Sequence, residues 1–403
     1  MSQLKEFLKW VYTFFKERLF MFILTAVLFI GITENETLDF RFKLRGEIPG
    51  DPRILLIDID NQSQSSRPPW NLDQLEKLLT PILQRKPAAI GLDLRFYGDP
   101  ENPNYEGNLQ QFVENIASYD VPIVLAVGFP DGQLLKPQIQ NKPENIHFGS
   151  VTIVDNYYPE ADDVVRRVKL LMKDKNEDEP IPAFALQLLS LAKNLTPMQC
   201  LSELAAAGLT RPPGDYHLIR YYNNYRFSRT KVYEGNKQVD KFRAIQAKNM
   251  LNQPFSAEFK NELDQRIQDS NIVIVGATYQ TDTTEEWFQT PLSWNKTISG
   301  IVVHANILSW LLGRKYIAEP GFFRYFFLTL ILILITWFVT HFFKLNKAML
   351  ILIGVFLLQS LITILFFMIW EIWLPIVWPL RLSIIFFFIL SIKKLQILKM
   401  KNG

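Results

Sequence analysis

The sequence lacks most of the features that mark disulfide-rich secreted domains and common enzyme families. It has a single cysteine, Cys200, which excludes an internal disulfide framework. It contains no Gly-x-Ser-x-Gly, His-Glu-x-x-His or kinase motif. Its net charge of +3 is near neutral for 403 residues, so nucleic-acid binding is not indicated. A fixed-period repeat and a low-complexity tract are also missing.

Four apolar stretches are present, and they predict membrane anchoring. The first, Leu19 to Ile32, approaches the roughly 20 residues of a spanning helix when the preceding apolar residues are included. Its basic start also fits a signal peptide, but no small-x-small cleavage site follows it, which favours an uncleaved anchor. The other three are near the length of a spanning helix and almost free of charge: Phe322 to Phe343, Ala348 to Trp370 and Trp373 to Ile392.

Lysine and arginine near the ends of these stretches predict the orientation. The N-terminal tail, the turn at Lys344 and Lys347, and the C-terminal tail are basic, whereas the turn at Glu371 carries no Lys or Arg. With four spans all three basic segments share one side, which the positive-inside rule makes cytoplasmic. We therefore expect a cytoplasmic tail at 1–18, a first transmembrane helix at 19–37, an extracytoplasmic domain at 38–316, three transmembrane helices at 317–392 and a basic cytoplasmic tail at 393–403.

The middle of the chain has the pattern of an α/β domain. Apolar strands at 53–60, 88–96 and 121–127 alternate with helices predicted at 71–86 and 109–118. This order favours a mainly parallel sheet that is covered by helices on both faces. A further buried strand is predicted at 271–276. His147 to Val154 and Val164 to Met172 are predicted to pair with each other across an Asp- and Tyr-rich loop.

Carboxylates cluster where two predicted strands end. Asp58 and Asp60 close one strand and point to the same face, and Asp93 and Arg95 close the strand predicted to neighbour it in a parallel sheet. Ligands bind at the carboxyl ends of such strands, and carboxylates suit a hard cation or a cationic or hydroxyl-bearing ligand. The alternative is structural: these side chains cap loops and pair with arginine and lysine residues, namely Arg95, Arg67 or Lys86.

His304 and Asn306 lie near the start of the last helix of the domain. As one of four histidines His304 invites a catalytic interpretation, but no second His or Cys stands at metal-ligand spacing. A buried, hydrogen-bonded histidine that braces the helix is the favoured interpretation, and Asn306 is expected to share that role. The Gly276-Ala277-Thr278 turn lacks the Gly-rich pattern and the lysine of a phosphate-binding loop.

Several charged residues lie close to the predicted membrane. Asp39 and Arg41 are candidates for an ion pair that couples the shape of the domain to the first span, and Arg45 follows them. Contact with lipid headgroups is the equal alternative. Arg381 is a strongly basic residue well inside a predicted span. A charge at such a position is costly, so the side chain is expected either to pair with a partner or to extend to the membrane interface.

Several segments of the chain, taken together, carry a family resemblance: Leu38 to Arg45, Ile57 to Asp60, Pro68 to Trp70, Ile90 to Phe96, Val275 to Thr278 with Asp282, Gln289 to Leu292 and Ser299 to Asn306. In this order they resemble the class-two CHASE domain, an extracellular sensory domain of bacterial signalling proteins. The family usually has an arginine shortly after the Pro-x-Trp loop, where this chain has Asn71-Leu72-Asp73. The resemblance also implies an output domain after the last span, but about ten residues remain there.

The resemblance implies a bacterial inner-membrane sensor, not an enzyme, which detects a small ligand or the envelope state and signals to a separate partner. Expected partners are membrane lipids, a signalling effector or membrane-complex subunit, and a second copy of the chain. Neither a cofactor nor a metal is expected. The alternatives are an exported carboxylate- or metal-dependent hydrolase and a membrane-complex scaffold. The expected ligand-binding residues are Asp58, Asp60, Asp93, Arg95, Asp282 and His304, and the expected coupling residues are Asp39, Arg41, Arg45, Asn306 and Arg381.

Overall fold

The computed structural model shows two compact units. Residues 1–45 and 317–403 form the first, called the helical unit below, and residues 46–316 form the second, called the central domain. The chain passes between them at Arg45–Gly46 and at Tyr316–Ile317. The described residues are 34–59, 70–97, 105–129, 133–153, 164–174, 179–209, 216–219, 231–234, 237–251, 255–277, 287–292, 297–317 and 322–402.

Helices are found in both units. In chain order they are α1 (Glu34–Arg45), α2 (Leu72–Leu83), α3 (Leu109–Ala117), α4 (Phe184–Ala192), α5 (Pro197–Ala206), α6 (Ala247–Leu251), α7 (Ala257–Asp269), α8 (Gly300–Gly313), α9 (Phe322–Phe342), α10 (Leu345–Trp370) and α11 (Val377–Asn402). Helix α1 crosses residue 38, where the sequence places the start of the domain, and it belongs to the helical unit.

Strands are confined to the central domain among the described residues. They are β1 (Ile54–Ile59), β2 (Trp70–Asn71), β3 (Ala89–Asp93), β4 (Tyr105–Glu106), β5 (Ile123–Val127), β6 (Ile146–Ser150), β7 (Arg167–Lys169), β8 (Leu171–Met172), β9 (Ile181–Pro182), β10 (Tyr216–Leu218), β11 (Lys231–Glu234), β12 (Lys237–Asp240), β13 (Arg243–Gln246), β14 (Ile272–Ala277), β15 (Trp287–Phe288) and β16 (Ile298–Ser299).

Six of these strands form the central sheet. Their order is β13-β1-β14-β3-β5-β6, and every neighbouring pair is parallel. All six residues of β1 and of β14 are buried, as expected for central strands that are covered on both faces. The predicted α/β class with a mainly parallel, helix-covered sheet is therefore confirmed.

Each face of the sheet packs against its own set of helices. On one face Leu55, Ile57 and the matching residues of the other strands form a core with α2, α3 and α7. On the other face α4 packs on β3, β5 and β6, and α8 packs on β1 and β14. Side chains alternate along a strand, so the even-numbered residues of β1 point toward α8.

Local sequence signals explain where several helices begin. The Asn71 side chain accepts a hydrogen bond from the Gln74 N–H at 3.0 Å, which caps α2 as predicted. The predicted apolar face of α2 is buried in the core. Helix α5, which the sequence analysis missed, begins with a complete capping box between Thr196 and Gln199.

The predicted pairing of His147 to Val154 with Val164 to Met172 is wrong. Strand β6 extends the parallel sheet beside β5, and β7 pairs with β10 in a separate antiparallel ladder. The apolar content of β6 suits a parallel edge strand as well as a hairpin strand. Periodicity therefore indicates a strand here but does not identify its partner.

The helical unit contains α9, α10 and α11. Residues of all three helices share an apolar core that includes Leu332, Leu352 and Leu380. Helices α9 and α10 are long and apolar enough to cross a membrane, over Phe323–Phe342 and Lys347–Trp370. Helix α11 begins at Val377, after Pro375, and not at Trp373 as predicted. The first predicted span lies outside the described residues, except for its end in α1.

Candidate functional site

A polar row crosses the carboxyl end of the central sheet. In the register of the parallel strands, Asp58 stands between Gln246 and Gly276, and Gly276 stands next to Asp93. Neighbouring strands are about 4.8 Å apart, so the Asp58 and Asp93 backbones lie about 10 Å from each other. The sheet therefore brings these two predicted residues to one edge and one face, with an amide side chain beside them.

The start of α8 covers this row. A Cβ atom placed on Gly276 would lie 3.1 Å from Ile301 Cδ1 and 3.2 Å from the Asp93 Cβ. The missing side chain at Gly276 thus allows α8 to approach the sheet closely. Asp58 is fully buried under this cover, whereas Asp93 is partly exposed. Solvent therefore reaches the row at the end where Asp93 lies.

The Asp93 carboxylate lies beside the N-terminus of α8. A Cβ atom placed on Gly300 would be 3.7 Å from Asp93 Oδ2. The N-terminus of a helix carries a partial positive charge from its unpaired N–H groups, and it stabilises a neighbouring anion. Asp93 therefore has a structural role at this position in addition to any contact with a ligand.

His304 is part of the core one helical turn further along α8. It is 3 % exposed, and its ring centroid lies 5.2 Å from that of Phe184. Burial lowers the pKa of His304 to about 3, although a hydrogen bond with the Val151 backbone opposes the shift. The imidazole is therefore neutral at ordinary pH and does not act as a cationic general acid. Asn306 is also fully buried, and its Nδ2 donates to the Val302 carbonyl at 2.8 Å.

Of the remaining predicted ligand residues, the structure describes Arg95. Arg95 is partly exposed two residues after β3 ends. Asp60 and Asp282 lie outside the described residues. Lys86 precedes β3 and therefore lies at the opposite edge of the sheet from Asp93, so the suggested pairing between them is wrong. Within the described ranges, no three His, Cys, Asp or Glu side chains are placed to hold a metal ion.

The row contains one member that sequence analysis missed. Gln246 ends β13, a four-residue edge strand that was not predicted. The segment Arg243-Ala-Ile-Gln246 has one β-branched residue and no alternation long enough to mark a strand. Its parallel register with β1 is a property of the tertiary structure.

A separate surface cavity of about 410 Å³ lies at the amino edge of the sheet. The turns before β3 and β14 and the last turn of α7 contribute its walls. Arg85 is held there by Asp264 and by the Pro81 carbonyl, at 2.6 Å from its Nη1. The lining residues are Arg85, Lys86, Pro87, Asp264, Ile267, Gln268 and Asn271.

The predicted coupling residues of α1 pack in the helical unit. The predicted pair of Asp39 with Arg41 is wrong, because residues two apart on a helix point in different directions. Arg41 is fully buried, and none of its guanidinium nitrogens makes a hydrogen bond within the described part of the chain. Arg45 reaches Glu371 at 3.7 Å, with its Cζ 4.9 Å from the Phe42 ring centroid.

Arg381 lies in the second turn of α11. Its Cζ is 5.6 Å from the Trp378 ring centroid, which is within the range of a cation–π contact. The contact partly compensates the charge of Arg381, which lies in the apolar part of α11 that precedes Lys393.

Two further charged residues of the helical unit were missed by the sequence analysis. The Glu34 carboxylate accepts hydrogen bonds from the Ile376, Val377 and Trp378 N–H groups, at N···O distances of 3.2, 2.6 and 3.3 Å. Lys394 donates to the last carbonyls of α9, those of Thr340, His341 and Phe343, at 2.5, 3.3 and 2.8 Å. Each charge therefore faces the helix end of opposite partial charge.

Comparisons with known proteins give one family. The model of the CHASE2 domain matches residues 19–342, which is more than half of the 403-residue chain. Comparisons with curated proteins and with solved structures give no significant match. CHASE2 domains are extracellular sensory domains and not an enzyme family. The matched range includes the whole central domain and α9. The chain therefore belongs to the CHASE2 domain family.

Proposed function

We propose that this protein is a sensor of a bacterial inner membrane. Its central domain lies outside the cytoplasm and responds to a small ligand or to the state of the envelope. The helical unit passes the response to a separate partner inside the cell. The observation that carries the proposal is the polar row Gln246–Asp58–Gly276–Asp93 in a CHASE2 domain, at the sheet edge where open α/β folds bind ligands.

The chemistry of the row points to a cationic or hydroxyl-bearing ligand. Asp58 and Asp93 supply carboxylate oxygens, and the Gln246 amide supplies both a donor and an acceptor. An anionic ligand would be repelled by the two carboxylates. The partly exposed Asp93 is the residue that an entering ligand would meet first.

The surface of the helical unit supports insertion in a membrane. Large apolar side chains of α9 and α10 are widely exposed, among them Phe323 at 71 %, Leu350 at 66 % and Leu357 at 67 %. Soluble proteins rarely expose apolar surface on this scale, whereas helices in lipid do so routinely. The basic turn and tails favour a cytoplasmic location for the ends of the chain.

A thermal-shift measurement on the full chain in nanodiscs tests the ligand site. The probes are Ca²⁺, the diamine putrescine and glucose, which represent hard cations, organic cations and hydroxyl-bearing ligands. A probe at about 100 times its Kd contributes about 2.7 kcal/mol, or a rise in Tm of about 5–10 °C for a domain of this size. We expect such a rise for at least one probe in the wild type, and its loss in Asp93→Asn.

The matched control is Asp120→Asn. Asp120 is exposed, precedes β5 at the other edge of the sheet and has a φ of 55°, a conformation that asparagine accepts readily. The control should keep the full response. An equal response in wild type and Asp93→Asn, or no response to any probe, would contradict a ligand site at this row.

The separate partner is tested by co-purification in mild detergent. The full chain is compared with a variant that ends at Ile392 and lacks the basic tail. Recovery of a signalling protein with the full chain, but not with the shortened variant, supports transmission through the tail. Equal recovery, or none, contradicts it.

A further inference from the structure

The Glu34 carboxylate closes the N-terminus of α11. Helix N-termini leave four backbone N–H groups without a partner inside the helix. Glu34 accepts two of them on Oε1, from Val377 and Trp378, and Ile376 N–H on Oε2. Thr37 Oγ1 lies 3.3 Å from Oε2, but its single hydroxyl proton also has the Glu34 backbone carbonyl within reach at 2.8 Å. A carboxylate has about four acceptor positions, so the three backbone N–H groups occupy most of them.

Arg41 lies on the same face of α1 as Glu34. Seven residues separate the two, which is about two helical turns and about 10.5 Å along the axis. The Arg41 side chain is 0 % exposed, and its Nε, Nη1 and Nη2 make no hydrogen bond within the described ranges. The negative charge of Glu34 attracts this guanidinium electrostatically. Two long side chains can bridge such a distance by a change of rotamer.

We propose that the Glu34 carboxylate exchanges between the N-terminus of α11 and the Arg41 guanidinium, and that the exchange frees the start of α11. In the observed state α11 is capped, and the Arg41 guanidinium makes no hydrogen bond to any residue that the structure describes. In the other state Glu34 and Arg41 form a charge-assisted pair, and the three N–H groups at residues 376–378 lose their acceptor. In each state either the N–H groups of residues 376–378 or the Arg41 guanidinium has a hydrogen-bond acceptor, and the other set lacks one. An element with two such alternative states is bistable.

Helix α11 is placed to carry this change to the other end of the helical unit. It runs without interruption from Val377 to Asn402, and Lys394 joins it to the end of α9. Helix α1, which carries both Glu34 and Arg41, continues directly into the central domain at Gly46. The role of this movement in signalling rests on the proposed sensor function, but the movement of Glu34 between its two partners requires no ligand.

Hydrogen exchange on the full chain in nanodiscs, read by mass spectrometry over residues 376–380, tests the proposal without a ligand. Glu34→Ala removes the acceptor, and exchange should become about tenfold faster, the effect of losing a helix cap. Glu34→Gln keeps one oxygen and should give a smaller increase. Arg41→Met removes the competing partner and should slow exchange about fivefold or more.

Arg324→Met is the control, because Arg324 is an exposed arginine of the same unit. It should leave exchange at 376–380 unchanged. In the double variant Glu34→Ala with Arg41→Met, the slowing should disappear, since Arg41 acts through Glu34.

Unchanged exchange in Glu34→Ala would overturn the cap. If Arg41→Met leaves hydrogen exchange at residues 376–380 unchanged, or if the slowing persists in the double variant, Arg41 does not compete with the start of α11 for Glu34. Both results are independent of the thermal-shift test. An incorrect assignment of the ligand site is therefore distinguishable from an incorrect assignment of the Glu34–Arg41 switch.

Discussion

The buried His304 makes a specific prediction about acid stability. Folding lowers its pKa from 6.5 to about 3, chiefly because burial penalises the charged ring. The unfolded chain therefore binds a proton below pH 6.5 that the folded chain does not bind until about pH 3. Stability is fully present above pH 6.5 and falls as the pH decreases below that value.

The size of the effect follows from the two pKa values. At pH 5 the unfolded histidine is almost completely protonated, whereas the folded one remains neutral. Linkage then gives a loss of about 2 kcal/mol between pH 7 and pH 5 from this residue alone. Burial also lowers the pKa of His147, so that residue contributes a loss in the same direction.

The assay is urea unfolding of the full chain in detergent at pH 7 and pH 5, followed by tryptophan fluorescence. Trp310, 1 % exposed in the same helix as His304, is one of the nine tryptophans that contribute to this signal. His304→Gln should reduce the loss between the two pH values by about 2 kcal/mol, whatever its stability at pH 7. His341→Gln, at an exposed position of α9, is the control. An identical loss in wild type and His304→Gln would refute the assignment of a buried neutral histidine.

Three further predictions concern the central domain. Gly91→Ala should destabilise it by about 1–3 kcal/mol in urea unfolding, because a Cβ there would lie 2.5 Å from Phe184 Cζ; Gly354→Ala, with open space around it, should not. Thr196→Ala removes the capping box of α5 and should cost about 1 kcal/mol, whereas Ser202→Ala on the exposed face of α5 should cost little. Burial raises the pKa of Cys200 to about 11, so maleimide should label the native chain slowly at pH 7 and the urea-unfolded chain rapidly; equal rates would contradict its burial.

The fold class was predictable because the central strands are long apolar runs. β1, β3, β5 and β14 each read as a buried strand, and helical patterns separate the first three. The edge strand β13 was not predictable in the same way. It is four residues long and half-covered, so its sequence carries no clear period.

The candidate site was predictable only in part, because the sequence indicates where strands end but not which strands are neighbours. Asp58 and Asp93 could be placed at strand ends from the sequence, since a strand ends where its apolar run stops. That Gly276 stands between them, and that α8 covers the row, depends on strand order. Glu34 and Lys394 were missed because their partners are backbone groups more than 50 residues away, which no side-chain pattern records.

The central claim is that binding in the central domain alters the helices that follow it. Hydrogen exchange over residues 376–380 of the full chain in nanodiscs, with and without Ca²⁺, putrescine or glucose, tests it most directly. We predict that a probe which raises the Tm through Asp93 also changes exchange at these residues, and that Asp93→Asn abolishes both responses. A probe that raises the Tm through Asp93 and leaves exchange at 376–380 unchanged would contradict the claim.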